Sequence, residues 1–213
     1  VVEKDVLDAV KEYITDPQDI ALIKQAMAFA REKHEGQFRK SGEPYVTHLL
    51  CVGKILAELR AGPTTIISGI LHDVLEDTET VKDVLQKQFG DEITTIVESV
   101  SKIGNIQFKD EKEYLAENHR KIFIAMAKDI RVILVKLVDR LHNMRTLEFQ
   151  PIEKQKKIAR ETLDVYAPIA HRLGISEIKN ELEDLSFYYL YPEQYYEIAK
   201  MVEMRKAERD HQV

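Results

Sequence analysis

Cysteine is all but missing from this chain of 213 residues. Cys51 stands alone, so no internal disulfide can form, and a reducing, cytoplasmic setting is expected. Tryptophan is absent, and six prolines and eight glycines leave little material for long loops or hairpin turns. No apolar run approaches the ~18 residues that a membrane span needs, and no secretory leader shows at the start. Neither a membrane-spanning nor a secreted chain is therefore expected. An excess of positive charge is lacking too. At a formal net charge of −6, the chain is a poor general partner for a nucleic-acid backbone, and direct nucleic-acid binding is not expected. An anionic ligand would need local positive charge or a bound cation to overcome that background.

What is present is a helix-forming sequence. With 44% hydrophobic and 32% charged residues, the chain can bury a core in one large domain, or in one domain plus an appendage. Helical periodicity runs through 2–14, 18–34, 44–60, 64–77, 80–88, 91–101, 110–128, 130–147, 151–171, 176–190 and 192–210. Pro44 and Pro151 suit first-turn positions, Gly90 suits a helix end, and Pro168 is expected to kink or end its helix. No alternating strand pattern, repeat or low-complexity stretch interrupts this, so the fold class is all-α, with about ten to eleven helices. The segment ILVKLVDRLHNM is apolar around most of its circumference up to Leu137, as a central buried helix should be. The start at Val1-Val2 rather than Met reads as trimmed, and the amphipathic tail, which stops without a capping signal, as cut.

Against this apolar background, GILHDVLEDTE at 69–79 places His72, Asp73, Glu76 and Asp77 within six positions. On a continuous helical wheel with His72 at zero, Glu76 falls near 40°, Asp73 near 100° and Asp77 near 140°, roughly one face, with the aliphatic residues on the other. That pattern fits a solvated acidic face as well as it fits a site. DRLHNMRT shifts the balance. Asp139 follows the apolar VILVKLV and should lie at or near the core, where a carboxylate is costly unless it is paired, hydrogen-bonded or metal-bound. A salt bridge to lysine or arginine is the plain alternative. In HEGQFRKSGEPYVTHLL, His48 sits a turn inside the helix that Pro44 opens. Three helices thus offer His48, His72 with Asp73, and Asp139. Two imidazoles and two carboxylates suit Mn²⁺, Fe²⁺ or Zn²⁺, and the lack of thiolates argues against a closed structural zinc site.

The H…HD…D spacing on an all-helical chain resembles the metal-dependent phosphohydrolases of the HD superfamily. The longer strings HEGQFRKSGEPYVTH, GILHDVLEDT, DIRVILVKLVDRLHNMRTL and ETLDVYAPIAHRLGI resemble the RelA/SpoT homologue family, the enzymes of the alarmone (p)ppGpp. The likeness runs from about residue 18 to 205. It implies a hydrolase domain over 1–190, with 191–213 beginning a helical connection to synthetase and regulatory domains.

By that resemblance, His48, His72, Asp73 and Asp139 hold one divalent ion, Mn²⁺ in this family. Glu76 and Asp77 position and deprotonate the attacking water, and deliver a proton to the leaving group. Arg39 and Lys40 lie over the nucleotide, and Asn143 and Thr146 contact its ribose and phosphate region. His142 is left as a structural or supporting residue, and His34, His119 and His171 are not assigned. Tyr188, Tyr189, Tyr191, Tyr195 and Tyr196 are expected to pack at a helix junction. One departure stands out: in SVSKIGN, Ser99 replaces the glycine expected before the family's turn, which bears on the course of 101–112. The reaction implied is metal-dependent removal of the 3′-pyrophosphate of (p)ppGpp, giving pyrophosphate and GDP or GTP. The alternatives are a catalytically silent alarmone-binding module, which the intact Glu76-Asp77 pair argues against, and an HD phosphohydrolase acting on another nucleotide.

Overall fold

The computed structural model describes residues 1–104 and 128–211. It is helical, as the periodicity predicts, and an isolated bridge between Phe38 and Pro44 is the only β pairing among the described residues. The chain divides into two compact units, Val1–Asn143 and Met144–Val213.

The first unit begins with α1 (Glu3–Lys11), α2 (Pro17–Lys33), α3 (Tyr45–Glu58) and α4 (Pro63–Leu71). Val6 and Val10, four apart, are fully buried on one face of α1, which packs on α3. Asp16 caps α2 by accepting from the Gln18 amide at 2.9 Å, and Pro17 supplies a preset first turn. From Thr65 to Leu71 every residue of α4 is buried, and α3, α2 and α7 surround it. Two glycines let α3 and α4 approach closely. A Cβ on Gly53 would lie 2.9 Å from Ile70 Cγ1, and one on Gly69 would overlap Leu56 Cδ1.

The helix expected over 64–77 is broken. After α4, a turn at His72-Asp73 leads into the short α5 (Val74–Asp77). Asp73 has φ −98° and ψ −1°, so the wheel that assumed one continuous helix does not hold across it. Then come α6 (Lys82–Phe89), which Gly90 ends at φ +90°, and α7 (Asp91–Gly104). Residues 101–104 are thus helical, while 105–112 and all but the last residue of the helix expected over 110–128 lie outside the described residues. The central helix α8 (Ile130–Arg145) buries Val132, Ile133, Val135, Leu137, Val138 and Leu141, as its all-round apolarity predicts.

In the second unit, α9 (Ile152–Glu161) continues through a π turn at Thr162–Tyr166 into α10 (Ala167–Arg172). Pro168 therefore does not end the helix. The wider turn precedes it, and the residue without an N–H falls in the first turn of the resumed α-helix. Next come α11 (Ser176–Leu190) and α12 (Pro192–His211), and α12 has no buried residue among those described. The tyrosines pack where α11 meets α12, with the Tyr188 ring edge-on to Tyr189 at 5.0 Å and to Tyr195 at 5.1 Å. Among the described residues no helix is long and apolar enough to cross a membrane.

Candidate metal centre

The first unit brings His48 from α3, His72 and Asp73 from the α4–α5 turn, and Asp139 from α8 to one place. Each offers a ligand atom, and those atoms lie within 4.8 Å of one another. Asp139 Oδ1 is the hub, 2.8 Å from His48 Nε2 and 3.1 Å from His72 Nε2. His72 Nε2 also lies 3.1 Å from Asp73 Oδ2. His48, His72 and Asp139 are buried, with exposures of 1%, 3% and 7%. The break after α4 is what makes the adjacent pair useful. Neighbours on a regular helix diverge by about 100°, whereas the turn lets His72 and Asp73 face each other.

The outer bonds set what these atoms can do. His72 Nδ1 donates to the Gly69 carbonyl at 2.6 Å, which leaves its Nε2 aimed at two carboxylates. Such an arrangement demands a positive charge between nitrogen and oxygens, either a proton or a metal ion. Burial opposes a charged His72, but the charges of Asp73 and Asp139 outweigh it and hold this imidazole well above its ordinary range. For His48 burial wins, and its pKa is lowered despite the pull of the adjacent Asp139 carboxylate. Burial pushes Asp139 up, yet Lys136 and His72 together hold it well below the usual carboxylate range. Asp73 is also lowered: burial raises it, but the His72 charge and hydrogen bonds from His72 and Tyr45 prevail. The salt bridge considered for Asp139 exists as well, with Lys136 Nζ at 3.4 Å. It reaches Oδ2 and leaves Oδ1 to the histidines. The donor set therefore fits a divalent cation with mixed nitrogen and oxygen ligands.

Around these four residues stand others that sequence reasoning passed over. Tyr45, the first residue of α3, donates from its hydroxyl to Asp73 Oδ2 at 2.5 Å. Burial and the Asp73 charge keep that phenol protonated far above its usual range, so it is a permanent donor. Its place three residues before His48 was the available signal, since i and i+3 share a helix face. His34, which is also buried, donates from Nδ1 to Gln37 Oε1 at 2.9 Å, and Gln37 Nε2 donates to the Asp77 carbonyl at 2.6 Å.

Glu76 and Asp77 are exposed on α5, at the rim. The Ser101 hydroxyl, on α7, donates to Glu76 Oε1. Asp77 is raised, first by partial burial and then by the charges of Asp73 and Glu76. Both acids line an open cavity of about 660 Å³ together with Gln37, Thr78 and Val81.

The FRKSGEP segment is a tight turn. The Arg39 amide donates to the Glu43 carbonyl at 2.8 Å, and Gly42 adopts φ +90°, a conformation that favours glycine. Arg39 reaches α8, with Nη1 2.9 Å from His142 Nδ1 and Nη2 donating to Asn143 Oδ1 at 3.1 Å. Lys40 is exposed in the same turn. Thr146 follows the end of α8 and falls in the second unit. Of the unassigned histidines, His171 is exposed in the last turn of α10, and His119 lies outside the described residues.

Comparison with known proteins agrees with this arrangement. The pattern described as "HD domain" matches residues 26–176. The guanosine-3′,5′-bis(diphosphate) 3′-pyrophosphohydrolase of Vibrio cholerae is 48% identical over 202 residues, covering 95% of this chain and 28% of that protein. The bifunctional (p)ppGpp synthase/hydrolase SpoT of Escherichia coli K12 is 48% identical over 200 residues, covering 94% of this chain and 28% of that protein. The chain thus spans less than a third of the length of these curated relatives. A solved metazoan SpoT orthologue, described as hydrolysing ppGpp, shares the fold. Its TM-score is 0.59 at 24% identity, over 81% of this chain and 96% of its own. With the HD pattern spanning α2 to α11 and the histidines and aspartates gathered at one point, the chain belongs to the HD-domain family, and among its members it is similar to the SpoT-type enzymes.

Proposed function

We propose that this domain removes the 3′-pyrophosphate of (p)ppGpp, releasing pyrophosphate and GDP or GTP, as the names of its SpoT-type relatives describe for them. The observation that carries the proposal is the convergence of His48, His72 and Asp73 on Asp139, a largely buried cluster whose balance calls for a positive charge that a divalent cation can supply. In our reading these four residues hold one Mn²⁺ ion. When bound, a divalent cation supplies Lewis-acid polarisation of a phosphoryl oxygen, a lowered pKa for water, and relief of the repulsion between a polyanion and an acidic chain.

The chain's own residues do the rest. Lys136 and Tyr45 hold the two carboxylates in place from behind. Glu76, oriented by Ser101, takes the proton of the attacking water as its oxygen bonds to the 3′-linked phosphorus and the bond to the ribose O3′ breaks. Asp77, whose carboxyl is held up in pKa, is suited to return a proton to that departing O3′. The planar guanidinium of Arg39, braced by His142 and Asn143, presents a face on which a guanine can stack. Lys40 and Thr146 enter the proposal through the family resemblance alone. So do the extent of the hydrolase domain over 1–190, the start at 191–213 of a connection to synthetase and regulatory domains, and a cytoplasmic setting.

The test is incubation of the metal-stripped chain with ppGpp, with and without Mn²⁺, following pyrophosphate and GDP. Manganese-dependent appearance of both is the expected result. Binding of metal and ppGpp without products would favour a regulatory module, and hydrolysis of simple nucleotides in preference to ppGpp would favour another HD phosphohydrolase.

A further inference from the structure

Metal ligation does not account for what lies behind His48. Its Nδ1 is 2.7 Å from Nδ1 of His142, and the Arg39 Nη1 is 2.9 Å from that same His142 atom. A guanidinium has hydrogens to give and no lone pair to receive one. His142 Nδ1 is therefore an acceptor, and the ring proton of His142 is on Nε2. The hydrogen between the two imidazoles then belongs to His48 Nδ1. This leaves the His48 lone pair on Nε2, the atom that faces Asp139 Oδ1 at 2.8 Å. The two rings sit with centroids 4.9 Å apart and 34° between their planes, and His142 is only 8% exposed, so water is a poor substitute for it.

We propose that His142 is a positioning residue. By accepting hydrogen bonds from His48 and Arg39 at one lone pair, it fixes His48 in the metal-binding tautomer and ties the Arg39 turn to a metal ligand. The role matches that of the carboxylate or carbonyl that backs most metal-binding histidines, here filled by a third imidazole. Because two donors share one lone pair, they compete. Drawing Arg39 away strengthens the His48 bond, so the turn that carries Arg39 adjusts how firmly His48 is held. The link between that adjustment and nucleotide binding rests on the function proposed above; the tautomer of His48 does not.

The test uses the full chain with Mn²⁺ alone and no nucleotide. His142→Leu removes the acceptor at similar volume, while His142→Asn returns a carbonyl oxygen near the position of Nδ1. Manganese affinity, read from the free-ion electron paramagnetic resonance signal, should fall about 10- to 100-fold in H142L and stay within about threefold of native in H142N. Long-range ¹⁵N–¹H spectra of the metal-free native chain should show His48 protonated at Nδ1. They should show mixed tautomers in H142L. Native His48 protonated at Nε2 would overturn the proposal whether or not the variants fold, as would undiminished manganese affinity in H142L. For the tie to Arg39, R39A should tighten manganese binding about threefold or more in the native chain and by less in H142L. Equal shifts in the two backgrounds would sever that tie. None of these readouts involves a substrate, so a negative hydrolysis assay leaves them unaffected.

Discussion

The two compact units bury different kinds of polar side chain. In the second, the buried polar residues among those described are Thr162 and Ser186. Thr162 answers its own burial locally, its hydroxyl donating to the Ile158 carbonyl one turn back at 2.7 Å. The first unit has hydroxyls that do the same, with Ser68 donating to the Thr64 carbonyl at 2.8 Å and Thr94 to the Gly90 carbonyl at 2.7 Å. It also buries four histidines and Asp139; His34 finds Gln37 three residues on and one nitrogen of His72 finds the Gly69 carbonyl, but the groups that meet at Asp139 cannot be satisfied within one turn. Their partners lie far along the chain: His48 meets Asp139 across 91 positions and His142 across 94. A buried hydroxyl that bonds one turn back, as those of Thr162, Ser68 and Thr94 do, leaves the core inert. A buried cluster of ionisable groups commits several helices to one charge balance, and that balance is where a ligand enters.

The contrast is broken most completely by Asp139→Ala. Removing the hub should abolish manganese binding and lower turnover of ppGpp by at least about 1,000-fold, measured by ion titration and product release. The metal-free chain should also lose about 3–5 kcal/mol, read by denaturant unfolding, because the buried His72 charge keeps only one of its two carboxylates and Lys136 loses its bond to Asp139. Glu76→Gln probes the rim instead of the hub. Manganese should bind as before while turnover falls about 100-fold or more; near-native turnover would remove Glu76 from the mechanism. Tyr45→Phe takes away one donor to Asp73, so manganese affinity should drop about tenfold with the fold intact by circular dichroism.

Titration sharpens the same contrast. The folded pKa of His72 stands well above its ordinary 6.5, so its contribution to metal-free stability is fully present below that value and is lost as pH rises through the folded pKa. Manganese must displace the same proton, so its affinity should climb about tenfold per pH unit until the folded pKa is passed. Thermal melts with and without Mn²⁺ should therefore move apart as pH rises from about 6 to 9. A gap that narrows would contradict the assigned charge on His72. The smallest effect belongs to the second unit. Thr162→Val should cost about 1 kcal/mol and leave manganese affinity and turnover unchanged, since the hydroxyl it removes serves the Ile158 carbonyl and the Met144 sulfur, away from the acid cluster.

Much of this arrangement is legible in the residues. The periodicity of ILVKLVDRLHNM places a buried helix where α8 lies, and a carboxylate at its core already calls for a partner. The four candidate ligands and Arg39 are picked out by their motifs, and the structure gathers the four and sets Arg39 against His142 and Asn143. Tyr45 was within reach through its spacing from His48. His142 reads only as a structural or supporting residue, because a buried histidine on α8 offers no sign of which nitrogen it lends or to whom. The turn at His72-Asp73 was hidden for a related reason. Its residues have good helical neighbours on both sides, and local preference carries no penalty that would reveal a break.

The sequence by itself determined the helices, their buried faces, the residue types able to hold a cation and the family to which they belong. Periodicity and chemical identity are local properties, written within a few residues of one another. Only the tertiary structure decided that α3 and α4 cross closely at Gly53 and Gly69, that the chain turns between His72 and α5, and that one lone pair of His142 serves both His48 and Arg39. Those are outcomes of packing. They depend on which helix faces meet when the core closes, and a contact between residues about ninety positions apart has no local pattern to announce it.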